Sequence, residues 1–341
     1  MQISNDDLKS IKITPLLDTL KLDKIDDATY FSNEYKNYIS NSRLGLLKSK
    51  GVQAFFDWEG STDYNPSFAF GTALHQLVLQ PELFELIDSV YKPTAKAGLV
   101  ADYLYKNDGT IPSDDDIKVA SIKCNYYKDK LTTNRLLDFK SRAEIYWRDR
   151  FLYEQSNPPV EGIERIYTDE KSVNLLKSCL DSVSKNKDIQ KLLNPEGVVE
   201  TPINGNEQAI LLDIEASSDF GTKIYHLKAK LDNFSINKEE NIITVNDLKT
   251  TSKLAVEFNP SYFSYQRELA IYSWLLKLCC KKYYDLENPT VKGNFLVVST
   301  IPEYTSLVYP MTPQLFKQGW NEFLYLLKTV IYFDLTKNYD F

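Results

Sequence analysis

The sequence is poor in the residues that usually build zinc and iron–sulfur sites. Its 341 residues include two histidines, His75 and His226, and four cysteines. The cysteines, at positions 124, 179, 279 and 280, show no CxxC spacing and do not cluster with either histidine. A zinc or iron–sulfur centre is therefore not expected. Cys279 and Cys280 fall in an apolar helical run, where a free thiol usually behaves as a small buried hydrophobe.

Long apolar runs and an excess of basic charge are also missing. No run of about 18 apolar residues occurs, and the N-terminal MQISNDDLKS has no basic region followed by an apolar one. These absences predict a soluble protein of the cytoplasm with no membrane segment. The formal net charge of −7 argues against a protein that coats nucleic acid through bulk electrostatics. An enzyme with a local binding groove is compatible with it, because clustered metal-binding carboxylates would themselves add to an acidic total.

The pattern of apolar residues divides the chain into two portions. Near-helical spacing predicts helices in YISNSRLGLLKSKGVQAFFDW and in FAFGTALHQLVL, and residues 91–195 are polar and mostly helical, with no strand alternation. After Pro195, the runs VVETPI, QAILLDI, KIYHLKAKLDNF and NIITVNDLK are β-rich and separated by turn sequences. We expect a mostly helical portion over 1–195 and an α/β core over 196–341, together forming one compact unit.

The fold class that follows is α/β, with a mixed central sheet of about four to six strands flanked by helices. Residues 118–150 hold nine Lys or Arg against four Asp or Glu, interleaved with aromatic residues. Such a stretch fits a phosphate-binding surface with stacking rings. We favour a solvated helix face with its aromatic residues in the core, since charge runs on helices commonly face solvent.

Two neighbouring predicted strands carry acidic residues. The first, KAKLD, places Asp232 at its exit, and the second, IITVNDLKT, carries Asp247 and Lys249. The sequence NKEEN between them suits a hairpin turn. Side chains two apart in a strand point to one face, so Asp247 and Lys249 project together. Pairing across the hairpin then brings Asp232 beside Asp247.

Two adjacent carboxylates indicate a metal site. They repel each other unless a cation lies between them, which suits Mg²⁺ or Mn²⁺ with oxygen ligands. The carbonyl oxygen of Leu248 is a candidate further ligand. A lysine on the same face can orient the attacking water or offset charge on the transition state of phosphodiester hydrolysis. Taken alone, D-x-K is a weak signal, because exposed strands often carry such ion pairs.

The order of motifs resembles the RecB-type branch of the PD-(D/E)XK nuclease superfamily, and more narrowly the phage exonuclease VIII (RecE-like) group. The resemblance covers about residues 40–272. It rests on ISNSRLGLL, on FGTALH ending at His75, on KAKLD ending at Asp232 and on DLKTT beginning at Asp247. It implies a restriction-endonuclease-like core in which these three residues bind metal. For His75 without this context, a hydrogen-bonded core histidine would be the expected interpretation.

The same resemblance gives Lys249 the task of positioning the nucleophile. The final helix motif departs from the group, whose members commonly show Gln with Tyr four residues later. Here Glu268 precedes Tyr272 by four residues, on one helix face, and Gln266 lies two residues earlier. Either Glu268 replaces the glutamine or Gln266 acts from a shifted angle. The candidate contacts to DNA are Gln266, Arg267, Thr250 and Thr251, and Tyr272 is with Arg267 a candidate contact to a DNA phosphate. An ion pair for Arg267 and a packed ring for Tyr272 are equally good interpretations.

Other acids are less informative. Glu200, in VVETPI, is either an additional acid near the metals or an ordinary edge-strand glutamate. Glu207, Asp213 and Glu215 are given no role.

The resemblance further implies a 5′-to-3′ exonuclease acting on double-stranded DNA ends. It would leave a single strand for a recombination partner, such as a single-strand annealing protein, work as a ring of identical subunits and come from a phage or prophage. An endonuclease or a single-strand nuclease of the same superfamily is one alternative, because a metal site does not fix the cleavage polarity. A catalytically silent DNA-binding protein with this fold is another.

Overall fold

The computed structural model describes residues 5–58, 66–127, 131–195, 199–200 and 205–337. The helices are α1 (Asn5–Ser10), α2 (Asp27–Tyr30), α3 (Asn41–Phe56), α4 (Pro66–Leu79), α5 (Ala95–Leu104), α6 (Asp114–Lys123), α7 (Thr133–Ser156), α8 (Glu170–Lys185), α9 (Lys187–Leu193), α10 (Tyr265–Tyr284) and α11 (Pro313–Thr336). The strands are β1 (Lys12–Asp23), β2 (Phe84–Tyr91), β3 (Glu164–Thr168), β4 (Val199–Glu200), β5 (Asn206–Ser218), β6 (Gly221–Asn237), β7 (Ile242–Thr251), β8 (Thr290–Ser299) and β9 (Ser306–Pro310). None of the helices in the described ranges has the length and apolar character needed to cross a membrane.

The chain forms two compact units. One, the sheet unit, comprises residues up to 61, residues 186–301 and residues from 305 onward. The other, the helical unit, comprises residues 62–185 with 302–304. Residues 5–58 therefore belong with the sheet, whereas the sequence pattern assigned them to the helical portion.

The sheet unit is built on a mixed sheet flanked by helices, which confirms the predicted fold class. Its strand order is β1-β5-β6-β7-β8-β9, and the two-residue β4 pairs with β6. Neighbouring strands run antiparallel except for β7 and β8, which are parallel. The sequence analysis missed β1. This edge strand contains Pro15 and changes register between Leu16 and Lys21, so it shows no regular alternation and depends on pairing with β5.

The long helices α10 and α11 supply much of the apolar cover of the sheet. Leu269, Leu275 and Leu276 of α10 are buried, as are the adjacent Cys279 and Cys280, whose predicted burial is confirmed. The two helices approach closely at Gly319. A Cβ atom there would lie 2.1 Å from the backbone oxygen of Gln266, so only glycine fits and the start of α10 is held against α11.

The helical unit packs α4–α8 with a parallel pair of strands, β2 and β3. The prediction of no strand over 91–195 is wrong at β3, because five residues are too few to show alternation and the strand depends on β2 for its hydrogen bonds. Phe139, Tyr146 and Trp147 of α7 are buried, while Lys140 and Arg142 form ion pairs with acids on helix surfaces. Where the structure describes it, the basic stretch over 118–150 is mostly a solvated face over an aromatic core, as favoured from the sequence. Arg150 is an exception, because its guanidinium group packs against the rings of Tyr105 and Tyr167.

Candidate metal centre

Asp232 and Asp247 lie opposite each other on β6 and β7. The last pair of the β6–β7 ladder on this side is Asn233 with Asn246, and each aspartate stands one residue beyond it. There the strands part. The Asp232 carboxylate fills the opening, and its Oδ2 accepts a hydrogen bond of 2.7 Å from the backbone N–H of Leu248. The structure brings the two aspartates together as the hairpin predicted, although Asp232 lies inside β6 and not at its exit.

The Leu248 peptide faces the same opening. In an extended strand, the N–H and C=O groups of one residue point toward the same neighbouring strand. Because the Leu248 N–H reaches Asp232, its carbonyl oxygen is also turned to the side where the carboxylates lie. Its role as a ligand stays a prediction that this orientation permits.

A third acid, Glu207 of β5, lies next to this pair, so Glu207, Asp232 and Asp247 form a row of acids across β5, β6 and β7. Asn206 opposes Asn233 in the β5–β6 ladder, which puts Glu207 opposite Asp232. A carboxylate oxygen of Glu207 lies within 4.8 Å of one of Asp232. Glu207 also forms a 2.8 Å ion pair with Lys230 and has φ of +52°, a left-handed conformation that is uncommon outside glycine.

Sequence analysis gave Glu207 no role, and the structure corrects this. The signal was present in the turn of the β5–β6 hairpin. Ser218 pairs with Gly221 across a two-residue turn, and the ladder runs from there without a bulge. Counting eleven residues along each strand from that pair reaches Glu207 and Asp232. Choosing this turn from the sequence SSDFG would have placed the third acid beside the second.

Lys249 lies at the centre of the acidic side chains. Its Nζ atom is 2.8 Å from Oδ2 of Asp247 and 3.1 Å from Oε2 of Glu268. The ring of Tyr265 lies 4.9 Å from the same ammonium group. The period of two residues in β7 thus puts Asp247 and Lys249 on one face, as predicted, and α10 brings Glu268 to them.

Glu268 and Tyr272 share a face of α10, as their spacing predicted. The hydroxyl group of Tyr272 donates a 2.9 Å hydrogen bond to Oε1 of Glu268. Gln266 points elsewhere, and its Nε2 atom lies 3.4 Å from Oε2 of Glu322. Of the two candidates for the missing glutamine, Glu268 is the one that contacts Lys249.

Arg267 has a structural position. Its side chain is 2% exposed, and its guanidinium group binds Oε1 of Glu322 at 2.7 Å and Oδ1 of Asn41 at 2.8 Å. These contacts join α10 to α11 and α3. The predicted contact of Arg267 with DNA has no support from this geometry, because the donors are committed inside the protein. Thr250 and Thr251 end β7 and are partly exposed, and their role stays a prediction.

Burial and mutual repulsion raise the pKa values of both aspartates. Burial, together with the charges of Glu207 and Glu268, raises the pKa of Asp232 to about 7, against the opposing effect of Lys249. Asp247, 1% exposed, has its pKa raised well above its ordinary value by burial and by Glu268 and Asp232. Burial alone would lower the pKa of Lys249, but Asp247, Glu268 and Asp232 raise it.

This set of groups fits a divalent cation. One ammonium group, that of Lys249, faces three carboxylates. Oδ2 of Asp247 is buried and, apart from its ion pair with Lys249, has no hydrogen-bond partner among the described residues. An under-coordinated buried carboxylate oxygen is costly unless a cation supplies the missing contact. Oxygen donors of this kind are the ligands that Mg²⁺ and Mn²⁺ prefer.

The sequence also predicted His75 and Glu200 for the metal site. His75 lies in α4 of the helical unit with its side chain partly buried, and its role as a metal ligand stays a prediction. Glu200 pairs with Ile236 through the backbone of β4, and its role as an additional acid also stays a prediction. His226 contacts Asp213 across the β5–β6 ladder, with Nδ1 2.6 Å from Oδ1.

A row of asparagines lies beside the row of acids, on the opposite face of the sheet. Asn233 donates to Asn206 at 2.6 Å, Asn246 donates to Asn233 at 2.7 Å and Asn294 donates to Asn246 at 2.9 Å. These four side chains, the asparagine ladder, cross β5, β6, β7 and β8. Three of them directly adjoin Glu207, Asp232 and Asp247 in the chain. The ladder therefore fixes the register of the strands at the residues that carry the acids.

No family model matches the chain, and no curated protein sequence matches it. Among solved structures, the chain is similar to a protein of Eubacterium rectale named "Putative exonuclease". The similarity covers 93% of this chain and 88% of that one, at 10% sequence identity and a TM-score of 0.42. A likeness of this extent is too weak to support a statement about activity.

Proposed function

We propose that this protein is a metal-dependent nuclease of the PD-(D/E)XK type that hydrolyses phosphodiester bonds in DNA. The observation that carries the proposal is the buried, under-coordinated Asp247 facing Asp232 across the parting of β6 and β7, with Lys249 against it. A purely structural ion pair would need one acid for one lysine. Here the acids outnumber the lysine, which suits a site built for a cation and an anionic substrate.

Each residue has a distinct task in the proposed reaction. Asp232 and Asp247 would hold the cation, with Glu207 close to Asp232 and the Leu248 carbonyl turned to the same opening. When bound, the cation polarises the phosphate and lowers the pKa of a water molecule that attacks phosphorus. Lys249 places that water and offsets the negative charge that grows on the phosphate oxygens. Glu268 orients Lys249, and Tyr272 orients Glu268 through its hydrogen bond.

The two lysines of the site change partners in this scheme. In the structure, Lys249 pairs with Asp247 and Glu268, while Lys230 pairs with Glu207 and Asp27. If Glu207, Asp232 and Asp247 held a cation, their attraction for both ammonium groups would be weaker. Lys249 and Lys230 would then be donors for phosphate oxygens, so metal and substrate are expected to bind cooperatively.

The direction of cleavage, the oligomeric state and the partner are proposed from the order of sequence motifs alone. We propose 5′-to-3′ cleavage from double-stranded ends, a ring of identical subunits, and a single-strand annealing protein as partner in phage-type recombination in the cytoplasm. His75 completes the metal ligands in this proposal.

The test is a cleavage assay on linear and covalently closed circular double-stranded DNA, with Mg²⁺ or Mn²⁺ and with chelator. Metal-dependent nucleotide release from the linear form alone is the expected result. Nicking of the circle would favour an endonuclease, and binding of DNA without cleavage would favour a silent binding protein. Asp247→Asn should abolish cleavage, and Glu215→Gln, which removes an exposed acid from neighbouring β5, is the matched control that should not.

A further inference from the structure

Two large aromatic side chains project into solvent from the segment between β7 and α10. Tyr262 is 78% exposed and Phe263 is 65% exposed. Adjacent exposed rings are unusual on a soluble surface, because leaving them in water forfeits the gain from burial. The strand before this segment ends just after Lys249, and the helix after it carries Glu268, so both ends of the segment belong to the candidate metal centre.

The segment is held in one shape by hydrogen bonds. The backbone N–H of Tyr262 bonds to the carbonyl of Asn259 at 3.2 Å, and that of Tyr265 bonds to the carbonyl of Pro260 at 2.9 Å. Nζ of Lys48 donates to Oγ of Ser264 at 2.8 Å and fixes the end of the turn to α3. The exposed rings are therefore presented in a defined position, which lowers the entropic cost of binding a flat ligand.

Aromatic rings connect this surface to the catalytic lysine. The rings of Tyr262 and Phe263 are 4.7 Å apart, and those of Phe263 and Tyr265 are 5.5 Å apart. Tyr265 in turn lies 4.9 Å from Nζ of Lys249. The exposed rings are thus joined to Lys249 by three successive contacts, and a strand that places an anionic group at Lys249 could place a nearby flat group on the rings. A nucleotide has both parts.

We propose that Tyr262 and Phe263 form a stacking platform for an unpaired nucleobase of the DNA strand whose phosphate lies at Lys249. This assignment rests on the proposed function and adds to it a substrate requirement. The base next to the scissile phosphate must leave its partner, so a frayed or single-stranded end is bound in preference to a fully paired one. Stacking on aromatic rings accepts every base, because every base has a π face. The platform therefore adds affinity without sequence preference.

The test uses an oligonucleotide duplex that carries 2-aminopurine as the terminal base of the strand to be cut. Binding is followed by fluorescence with Ca²⁺ in place of Mg²⁺, and cleavage is measured separately with Mg²⁺. Wild-type protein should quench the terminal 2-aminopurine. The Tyr262→Ala/Phe263→Ala variant should lose the quenching and bind about tenfold more weakly. Tyr325→Ala, which removes a tyrosine that is 55% exposed on α11, is the control and should behave as wild type.

Two further variants separate stacking from other uses of the surface. Tyr262→Leu/Phe263→Leu keeps an apolar surface without rings and should resemble the alanine variant, whereas Tyr262→Trp/Phe263→Trp should quench at least as well as wild type. Leucine variants that bind DNA like wild type would overturn the proposal, as would a wild-type protein that binds anionic vesicles and ignores the duplex. Quenching that depends on the rings in a protein that never cleaves would sustain the platform and refute the nuclease. Circular dichroism should show all variants folded, because both side chains are exposed.

Discussion

Replacing Asp232 by asparagine should stabilise the metal-free protein, and by more as the pH rises. Asparagine keeps an oxygen that can accept the hydrogen bond from the Leu248 N–H, so the change removes the charge and little else. The pKa of Asp232 is raised from 3.8 to about 7 in the folded chain. Below pH 3.8 the group is protonated whether folded or unfolded, and its titration has no effect on stability. Between pH 3.8 and 7 only the folded state holds the proton, so the free energy of unfolding falls as pH rises.

The size of the effect follows from that interval. About three pH units at about 1.4 kcal/mol each give roughly 4 kcal/mol as an upper bound above pH 7. The side chain is only partly buried, and solvent reduces the figure to about 2–4 kcal/mol. Asp232→Asn should therefore unfold at a higher temperature than wild type at pH 8 and at nearly the same temperature at pH 4.

Thermal melts at pH 4, 5, 6, 7 and 8, with chelator and with Mn²⁺, would measure this. Mn²⁺ should raise the melting temperature of wild type at pH 8 and leave that of Asp232→Asn unchanged, which reverses their order. Glu215→Gln serves as the control for loss of one surface charge. If Asp232→Asn is less stable than wild type at pH 8 in chelator, the carboxylate is stabilised by its neighbours and the repulsion argument is wrong.

Three other changes test separate parts of the structure. Glu207→Gln should weaken Mn²⁺ binding by about tenfold in titration calorimetry, and unchanged affinity would remove Glu207 from the site. Gly319→Ala, whose Cβ would meet the Gln266 backbone at 2.1 Å, should lower stability to urea by about 1–3 kcal/mol. Gly71→Ala, where no atom lies within 4 Å, should not lower it. Asn246→Ala should lower stability by about 2–5 kcal/mol in the same assay, because it removes a buried acceptor from Asn294 and a buried donor from Asn233. A loss below about 0.5 kcal/mol, the size of a neutral surface change, would show that the ladder does not stabilise the sheet.

Local sequence rules were sufficient for part of the site. The period of two in a strand places Asp247 with Lys249, and the spacing of four in a helix places Glu268 with Tyr272. Both rules act within one element and need no knowledge of its partners. The mixed sheet with flanking helices follows from the same patterns.

Other features depended on partners far away in the chain. Glu207 was missed because its place is set by the register of a hairpin whose turn lies eleven residues distant. Strand β1 exists through its pairing with β5, about 200 residues later, and not through its own alternation. Arg267 looked like a surface residue, since arginine is rarely buried without a partner, and its partner Glu322 comes from α11. Such pairings are invisible in a local window.

The asparagine ladder links correct folding to the assembly of the metal centre. A slip of β6 or β7 by one residue would turn its aspartate to the face of the sheet that carries the asparagine ladder. Its asparagine would turn to the face that carries the acids. The chain would then lose hydrogen bonds between buried amides and, in the same movement, separate Asp232 from Asp247. A sheet with the wrong strand register is thus less stable even before any metal is bound. Selection for a stable strand register and selection for a working cation site act on the same residues, so neutral change in this row should be much rarer than elsewhere on these strands.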